Sequence, residues 1–415
     1  MLAASDIPAP TVPPAIRTAD RRFRPDVEGV RAIAVLMVLI DHTGIGLLPG
    51  GYVGVDVFFV LSGFLITGQL LKADDRGRIS ITKFYARRVR RILPASSVVL
   101  IATVIASYCF LSASRATHVA GDGQWSSLFA SNFRFIQQST NYLDSQLPPS
   151  PLQHFWSLAV EEQFYAVWPL TPMVLGSVAK RLPLRMKLAA VLSIGIVASL
   201  SWSIIQTAEN GTAAYFSPLT RAWELGAGAL LSVASRALLR LPRGLGVAMS
   251  LAGVTMIVAS GLVFDHATPF PGYAVALPVV GAALAVAGGM SAPGEGAEVV
   301  LRLAPFQWVG KLSYSLYLWH WPILVIAKEH LGADPPLGET LLLCLLALAL
   351  AAATFWAVEH PVRDSTWLKR RSPLLSILLG VCLVGASLGA ITGLSVWLAP
   401  PPASVQPPPP VVFPH

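Results

Sequence analysis

The chain has 415 residues, of which 54% are hydrophobic and only 13% are charged. A soluble protein of this length needs more charge on its surface, so the composition argues against a soluble fold. The formal net charge is +8. Because the basic residues cluster between apolar segments, they indicate membrane topology rather than a nucleic-acid partner.

Apolar runs long enough to cross a bilayer recur along the chain, and about 18–20 residues suffice for one helical span. We predict an all-α, polytopic membrane protein with ten core transmembrane helices and an eleventh that leads to an extracytoplasmic Pro-rich stalk. The predicted spans are 31–48, 52–71, 94–113, 155–178, 188–206, 217–234, 245–263, 272–290, 312–328, 340–357 and 375–398.

The basic residues predict the orientation of these helices. With a cytoplasmic N-terminus, 26 of the 30 Lys and Arg residues fall on the inner side and 4 on the outer side. An excess of this kind is the positive-inside pattern. We therefore expect a multi-pass protein with its N-terminus in the cytoplasm and its C-terminus outside.

The two ends differ in composition from the helical block. Residues 1–20 are rich in Pro and Ala, lack the apolar core of a signal peptide, and are expected to be disordered and cytoplasmic. Residues 21–373 form the ten-helix membrane domain and 374–398 the eleventh helix. Residues 399–415 are expected to form an extended extracytoplasmic linker, which is either a spacer or the start of a connection to a further domain.

No metal site is predicted, and no permanently bound cofactor. The three cysteines, Cys109, Cys344 and Cys382, lie in or beside predicted helices. They form no metal-binding pair and give no basis for a disulfide framework.

The first predicted helix carries ionisable residues at both ends of the stretch RAIAVLMVLIDH. Arg31 and His42 are eleven residues apart, which places them within roughly 20° of one helix face and about 16 Å apart along the axis. A charged group in a bilayer costs roughly 2.5–3.5 kcal/mol, so such residues usually have a function. Two structural alternatives stay open: Arg31 as an interfacial anchor, and His42 as a hydrogen-bonding residue between helices.

Other predicted spans carry polar or aromatic residues to a similar layer. One shared polar cavity would explain them together. The alternatives are interfacial aromatic belts for His154 and His320, and a structural ion pair between Glu161 and Arg221. The residues concerned are Asp56, Ser62, His154, Trp156, Glu161, Arg221, Glu224, Tyr317 and His320.

Four arginines, Arg87, Arg88, Arg90 and Arg91, directly precede the predicted third span. They can anchor the helix at the headgroups, or they can bind phosphate, since guanidinium groups pair with phosphate oxygens in bidentate fashion. The residues alone leave both readings open.

Seven motifs in this order closely resemble acyltransferase family 3, the membrane O-acyltransferases that modify bacterial cell-envelope polysaccharides and lipids. The resemblance covers about residues 21–373 and implies the bacterial inner membrane. Arg31 and His42 match the family's Arg-x10-His signature, and Arg88 with Arg91 (or Arg87 with Arg90) match its Arg-x-x-Arg element, which is linked to acyl-CoA. The motifs are RFRPDVEGVRAIAVLMVLIDH, GGYVGVDVFFVLSGFLIT, RRVRRILP, HFWSLAVEEQFY, RAWE, GKLSYSLYLWHWP and VEHPVR.

The resemblance implies transfer of an acetyl, succinyl or similar group from cytoplasmic acyl-CoA to a hydroxyl of an extracytoplasmic glycan or glycolipid. We expect His42 to be the general base, with Asp41 or Glu161 orienting it, and a covalent acyl-His intermediate stays open. The donor phosphates would contact Arg31 and the arginine cluster. The expected substrate-binding residues are His154, Trp156, Arg221, Glu224, Tyr317 and His320, with Arg221 or Tyr317 stabilising oxyanion charge.

Many members of this family also carry an extracytoplasmic SGNH-type, esterase-like domain. Such a domain, downstream or in trans, is therefore a further expected partner. The competing hypotheses are a secondary transporter or lipid flippase, and a non-catalytic envelope scaffold. A transporter or flippase does not need a cytoplasmic arginine cluster together with a histidine on the face of Arg31, and a scaffold would bind the donor without acylating.

Overall fold

A computed structural model describes residues 24–75, 80–140, 148–177 and 181–398. Every regular element in these ranges is helical, and they contain no β-strand. The predicted N-terminal segment 1–20 and linker 399–415 lie outside the described residues. The helices are α1 (Pro25–His42), α2 (Gly54–Asp74), α3 (Ile81–Phe110), α4 (Ala113–Ser127), α5 (Ser131–Thr140), α6 (Phe155–Val167), α7 (Leu170–Ser177), α8 (Leu184–Glu209), α9 (Gly211–Phe216), α10 (Pro218–Val233), α11 (Ser235–Leu238), α12 (Arg243–Val263), α13 (Ala276–Ser291), α14 (Glu298–Leu301), α15 (Ala304–Leu331), α16 (Leu337–Thr354), α17 (His360–Asp364), α18 (Thr366–Arg370) and α19 (Pro373–Trp397).

Within the described ranges, six helical segments are long and apolar enough to cross a membrane. They contain α2, α3, α8, α12, α16 and α19, and α13 is apolar but shorter. The prediction of an all-α, multi-pass membrane protein is therefore confirmed, whereas the count of eleven spans stays a prediction. The helices α1, α6, α10 and α15, which carry most of the predicted polar site residues, are not among the six.

Helix α1 is shifted by six residues from its predicted span of 31–48. It begins at Pro25, whose fixed φ suits the first helical position, and it ends at His42. The chain then turns at Gly44 and Gly46, which have φ of 72° and 75°, values that favour glycine. His42 is therefore the last residue of the helix rather than a residue in its middle.

Helix α3 begins well before its predicted start at residue 94. The arginine cluster lies inside its first turns rather than ahead of it, and Pro94 is within the helix. Ser80 caps the start, because its side chain accepts a hydrogen bond from the Lys83 amide at 3.4 Å.

The predicted span 155–178 is two helices, α6 and α7, separated at Trp168-Pro169. Proline has no amide hydrogen to donate, so the break at this position is expected. The predicted outer loop 114–153 also contains two helices that the hydropathy pattern does not reveal, α4 and α5.

Helix α1 packs against both α2 and α15, and α19 packs along α3 and α4. Helices α2 and α10 approach each other closely. A Cβ atom at Gly63 would lie 1.9 Å from the Leu225 carbonyl oxygen, and one at Gly228 would lie 1.9 Å from the Val60 carbonyl oxygen. Small residues at both positions therefore let the two backbones touch.

Candidate active site

An internal cavity lies between α1, α2, α3, α6 and α15. It has about 750 Å³ of empty volume, part of it open to solvent. Five of the predicted site residues line it: Arg31, Arg88, Arg91, Glu161 and Tyr317. Residues that were predicted from helix depth and motif resemblance, and that lie on four helices distant in sequence, therefore meet in one cavity.

The arginines of the cavity are held by neighbours on other helices. The Arg31 Nη2 atom donates a hydrogen bond to the Ser313 hydroxyl of α15 at 2.8 Å. The Arg88 guanidinium lies 4.1 Å from the centre of the Tyr165 ring, a cation–π contact. Both side chains are therefore fixed by contacts that leave further N–H donors for a ligand.

A second pocket, the basic pocket, borders the cavity. Arg88 and Arg91 line both of them. Asp364 is the acidic residue of this pocket, and its carboxylate is already bound by Arg363 at 3.1 Å and by Lys369 at 2.9 Å. The residues that line the basic pocket are Gln69, Arg87, Arg88, Arg90, Arg91, Arg363, Asp364 and Lys369.

The four clustered arginines differ in their surroundings. Arg87 is exposed, whereas Arg88 and Arg90 are buried. The Arg90 Nη1 atom donates to the Ser376 hydroxyl of α19 at 2.7 Å, so part of this side chain serves helix packing. Arg88 and Arg91 are the pair that reaches both the basic pocket and the cavity.

The Glu161 carboxylate contacts the hydroxyl groups of Ser62 and Tyr165. From the sequence we expected Glu161 either to orient His42 or to form an ion pair with Arg221. In the structure its hydrogen bonds go to neither of them. The Glu161 carboxylate instead lies in the wall of the cavity, bound by two hydroxyl groups, and its charge is opposite to that of the arginines.

The His42 side chain is hydrogen-bonded to a second histidine. Its Nδ1 atom lies 3.0 Å from the His320 Nε2 atom, and the two rings are stacked with centres 5.2 Å apart. The His320 Nδ1 atom lies 3.1 Å from the Leu316 carbonyl oxygen. Because a carbonyl only accepts, His320 Nδ1 carries a proton and its Nε2 accepts from His42 Nδ1 when both rings are neutral. This arrangement leaves the lone pair on His42 Nε2.

His154 completes a histidine cluster with His42 and His320. Its ring centre is 6.0 Å from that of His320, and its Nε2 atom is 3.1 Å from the Leu318 carbonyl oxygen. The Tyr317 hydroxyl is 2.7 Å from the Ser157 hydroxyl and donates to the His154 carbonyl oxygen at 3.0 Å. Tyr317 therefore lines the cavity on one side and contacts the histidine cluster on the other.

The sequence predicted one polar cavity for all of these residues. The structure instead has the cavity and, beside it, the histidine cluster, because none of the three histidines lines the cavity. Asp41 Oδ2 is 3.9 Å from His42 Nε2, which is too far for a hydrogen bond. The Trp321 ring packs edge-on against His42, with the two ring centres 4.4 Å apart. His320, predicted to bind substrate, is the hydrogen-bonding partner of His42.

Arg221 and Glu224 lie apart from the cavity, in a buried ion cluster between α2 and α10. Arg221 contacts Asp56, and its Nε atom is 3.2 Å from Glu224 Oε1. The exposed fractions of these three residues are 1%, 0% and 0%. Trp156 packs on this cluster, with its ring centre 5.4 Å from the Arg221 guanidinium. The structure therefore places Arg221, Glu224 and Trp156 in the core.

Several residues of the site escaped the sequence-based selection. Ser313 and Tyr165 bind the charged groups described above. Glu359, which is 2% exposed, accepts hydrogen bonds from Ser315 at 2.8 Å and from Arg363 at 3.0 Å. The sequence feature that could have identified Glu359 is its position in the VEHPVR motif. Over the described ranges, no group of three or more His, Cys, Asp or Glu residues is placed to hold a metal ion.

The comparison with known families agrees with this arrangement. The profile of the acyltransferase domain family, acyltransferase family 3, matches residues 24–356, most of the chain. The chain belongs to this family. The match includes Arg31, His42, the arginine cluster, His154 and His320. No solved structure is significantly similar to the chain.

Curated relatives of this acyltransferase include proteins named as O-acetyltransferases. The peptidoglycan O-acetyltransferase OatA of Listeria monocytogenes is 30% identical over 83% of the chain and 56% of its own length. The putative peptidoglycan O-acetyltransferase YrhL of Bacillus subtilis is 32% identical over 84% of the chain and 56% of its own. The O-acetyltransferase OatA of Staphylococcus aureus is 27% identical over 90% of the chain and 63% of its own length. The chain thus spans between about half and two thirds of these relatives.

Proposed function

We propose that this protein transfers an acyl group, acetyl in the first instance, from acyl-CoA to a hydroxyl of a cell-envelope glycan across the membrane. The observation that carries the proposal is the pair Arg88 and Arg91, which lines both the basic pocket and the cavity. A polyanionic donor with a long, flexible arm fits such a connection. The names of the relatives favour acetyl as the group and peptidoglycan as the acceptor class.

The donor is proposed to bind from the cytoplasm. Most Lys and Arg residues fall on the side that holds the basic pocket, which is the inner side by the positive-inside pattern. The phosphates of CoA would pair there with Arg87, Arg88 and Arg91, whose guanidinium groups match phosphate oxygens. The thioester arm would then enter the cavity past Arg31.

His42 is proposed to act as the general base through Nε2. It removes the proton of the acceptor hydroxyl as the oxygen attacks the thioester carbonyl, and the resulting imidazolium returns that proton to the CoA thiolate as the C–S bond breaks. His320 stabilises the imidazolium by accepting the hydrogen bond from His42 Nδ1. Tyr317 lies between the cavity and the histidines, and its hydroxyl would stabilise charge on the thioester oxygen by turning its one hydrogen from the His154 carbonyl oxygen to the ligand.

The acceptor is proposed to approach from the outer side, along the end of the bundle that holds His42 and His154. Arg221 is less suited to the oxyanion role than Tyr317, because two carboxylates already surround it. The matched relatives extend beyond the part that this chain represents. An SGNH-type domain, downstream or in trans, stays a proposed partner for final delivery of the acyl group.

Donor binding can be tested with the purified chain in detergent or nanodiscs. Acetyl-CoA should raise the Tm of the wild-type protein, and the Arg88→Ala and Arg91→Ala variants should need roughly 10-fold more ligand, since a hydrogen bond to a charged group contributes about 1.5–3 kcal/mol. Arg240→Ala, an exposed arginine away from both pockets, is the matched control. No stabilisation of the wild type, or equal shifts in all variants, would contradict the proposal and favour a transporter.

A further inference from the structure

A third pocket lies at the end of the bundle opposite the basic pocket. Helix α3 runs from the arginine cluster to Phe110, and α4 follows directly. The pocket is formed by α4, α5, the segment 148–153 and the short helix α9. It has about 850 Å³ of empty volume, including open solvent. It shares no lining residue with the cavity or the basic pocket.

The charged groups of this pocket are paired within the protein. The Asp122 carboxylate accepts from Gln138 at 2.8 Å and from Arg134 at 3.3 Å. The Arg115 Nε atom donates to Glu329 at 3.0 Å, and its Nη2 atom donates to the Pro148 carbonyl oxygen at 2.7 Å. Because these charges are already compensated, the pocket favours a neutral ligand over an anionic one such as CoA.

Two polar side chains and two aromatic rings remain to contact a ligand. His118 and Gln153 line the pocket, and neither side chain hydrogen-bonds to any residue that the structure describes. Phe135 and Phe216 line the same pocket, with ring centres 5.8 Å apart. An imidazole and an amide can bind hydroxyl groups while an aromatic wall covers an apolar ring face, the combination that a sugar requires.

The pocket and the histidine cluster share one turn of the chain, Ser150–His154. The Trp321 Nε1 atom donates to the Ser150 carbonyl oxygen at 2.8 Å, and the same Trp321 ring contacts His42. Gln153 lines the pocket, and His154, the next residue, lies in the cluster. A ligand seated in the pocket is therefore separated from the proposed base by a single turn and Trp321.

We propose that this pocket binds a neutral sugar unit of the acceptor glycan and holds the strand so that a neighbouring hydroxyl reaches His42. The proposal rests on the proposed function, because it takes a glycan as the acceptor. It adds a recognition site on α4, α5 and the turn before α6. The basic pocket and this sugar pocket then serve the two substrates from opposite ends of the molecule.

The test is a binding titration of the full chain in nanodiscs with a β-1,4-linked N-acetylglucosamine tetramer, without donor. The wild type should bind it, and His118→Ala and Gln153→Ala should each weaken binding roughly 2- to 10-fold, the effect of one hydrogen bond. Neither change removes an internal hydrogen bond to a described residue, so both variants should fold. Ser114→Ala, at an exposed position of α4 outside the pocket lining, is the matched control and should bind like the wild type.

Stabilisation by acetyl-CoA is measured on the same samples and should be unchanged in all three variants. A tetramer that does not bind the wild type, or that binds the His118 and Gln153 variants equally well, overturns the sugar pocket while leaving donor binding intact. Failure of the proposed function looks different, because the wild type would then bind sugar without any acetyl transfer to it.

Discussion

At the scale of single residues, a chain of hydrogen bonds runs from the Leu316 carbonyl oxygen through His320 to His42. The backbone carbonyl fixes the proton on His320 Nδ1, and this fixes the tautomer of His42 when both rings are neutral. The sequence marked both histidines, since ionisable residues in predicted spans are costly. It could not show that one of them orients the other, because α1 and α15 are nearly 280 residues apart along the chain.

We expect His320 to act as a positioning residue for His42. His320→Leu removes the acceptor of the hydrogen bond from His42 Nδ1 and should lower kcat roughly 10- to 100-fold, the effect of one charge-assisted hydrogen bond. His320→Gln retains an acceptor oxygen and should recover a large part of that loss. Steady-state kinetics with acetyl-CoA measures both, and KM for the donor should stay the same.

A purely structural role for His320 would give another outcome. Both variants would then lose activity in proportion to folded protein, and the glutamine would not rescue turnover. Equal kcat in His320→Gln and His320→Leu at equal folded content would contradict the positioning role.

The partners of Arg221 and Glu224 could not be predicted from the sequence. Arg221 and Glu224 lie in a polar motif at the predicted depth, so sequence reasoning gave them to the substrate. Their partner Asp56 lies on α2, and the pairing arises only when α2 and α10 meet. Both Asp56 and Glu224 contact Arg221 in the buried core, and the assignment of Arg221 and Glu224 to the substrate stays a prediction.

At the scale of helices, the presence of a helix was easier to predict than the residues at which it begins and ends. Each predicted span overlaps a helix, because sustained apolar runs are a strong signal. The ends were set by single residues: Pro25 and Gly44 moved α1, and Pro169 divided α6 from α7. These local effects are weak in a hydropathy pattern but decide where His42 lies. Helices α4 and α5 escaped the pattern because they are amphipathic caps rather than spans.

The contact between α2 and α10 should be sensitive to a single methyl group. Gly228→Ala would place a Cβ atom 1.9 Å from the Val60 carbonyl oxygen, so the helices must move apart. We expect a loss of about 1–3 kcal/mol, the usual cost of overpacking, seen as a lower Tm in detergent. The displaced α2 also carries Ser62, so acyl transfer should fall as well.

Gly195→Ala in α8 is the control for this experiment, because a Cβ atom there meets nothing within 4 Å. In that open position alanine should leave the Tm unchanged or raise it slightly through helix propensity. A Gly228→Ala protein with the Tm of the Gly195→Ala protein would show that the two helices are not packed as closely as described.

At the scale of the whole molecule, the four sites follow one another through the bundle. The basic pocket meets the cavity at Arg88 and Arg91, the cavity meets the histidine cluster at Tyr317, and the cluster meets the sugar pocket at the Ser150–His154 turn. Such an order suits two substrates that approach from opposite sides and never share a compartment.

The central claim is that acetyl groups cross the membrane through this bundle with His42 as the base. It is tested most directly in sealed proteoliposomes loaded with labelled acetyl-CoA, with the N-acetylglucosamine tetramer outside and the protein inserted with its basic pocket inward. The wild type should form labelled O-acetyl tetramer outside. His42→Ala should reduce the rate at least 100-fold, the range of general-base catalysis, with an unchanged acetyl-CoA-induced Tm shift. Labelled tetramer formed by His42→Ala at the wild-type rate would contradict the claim.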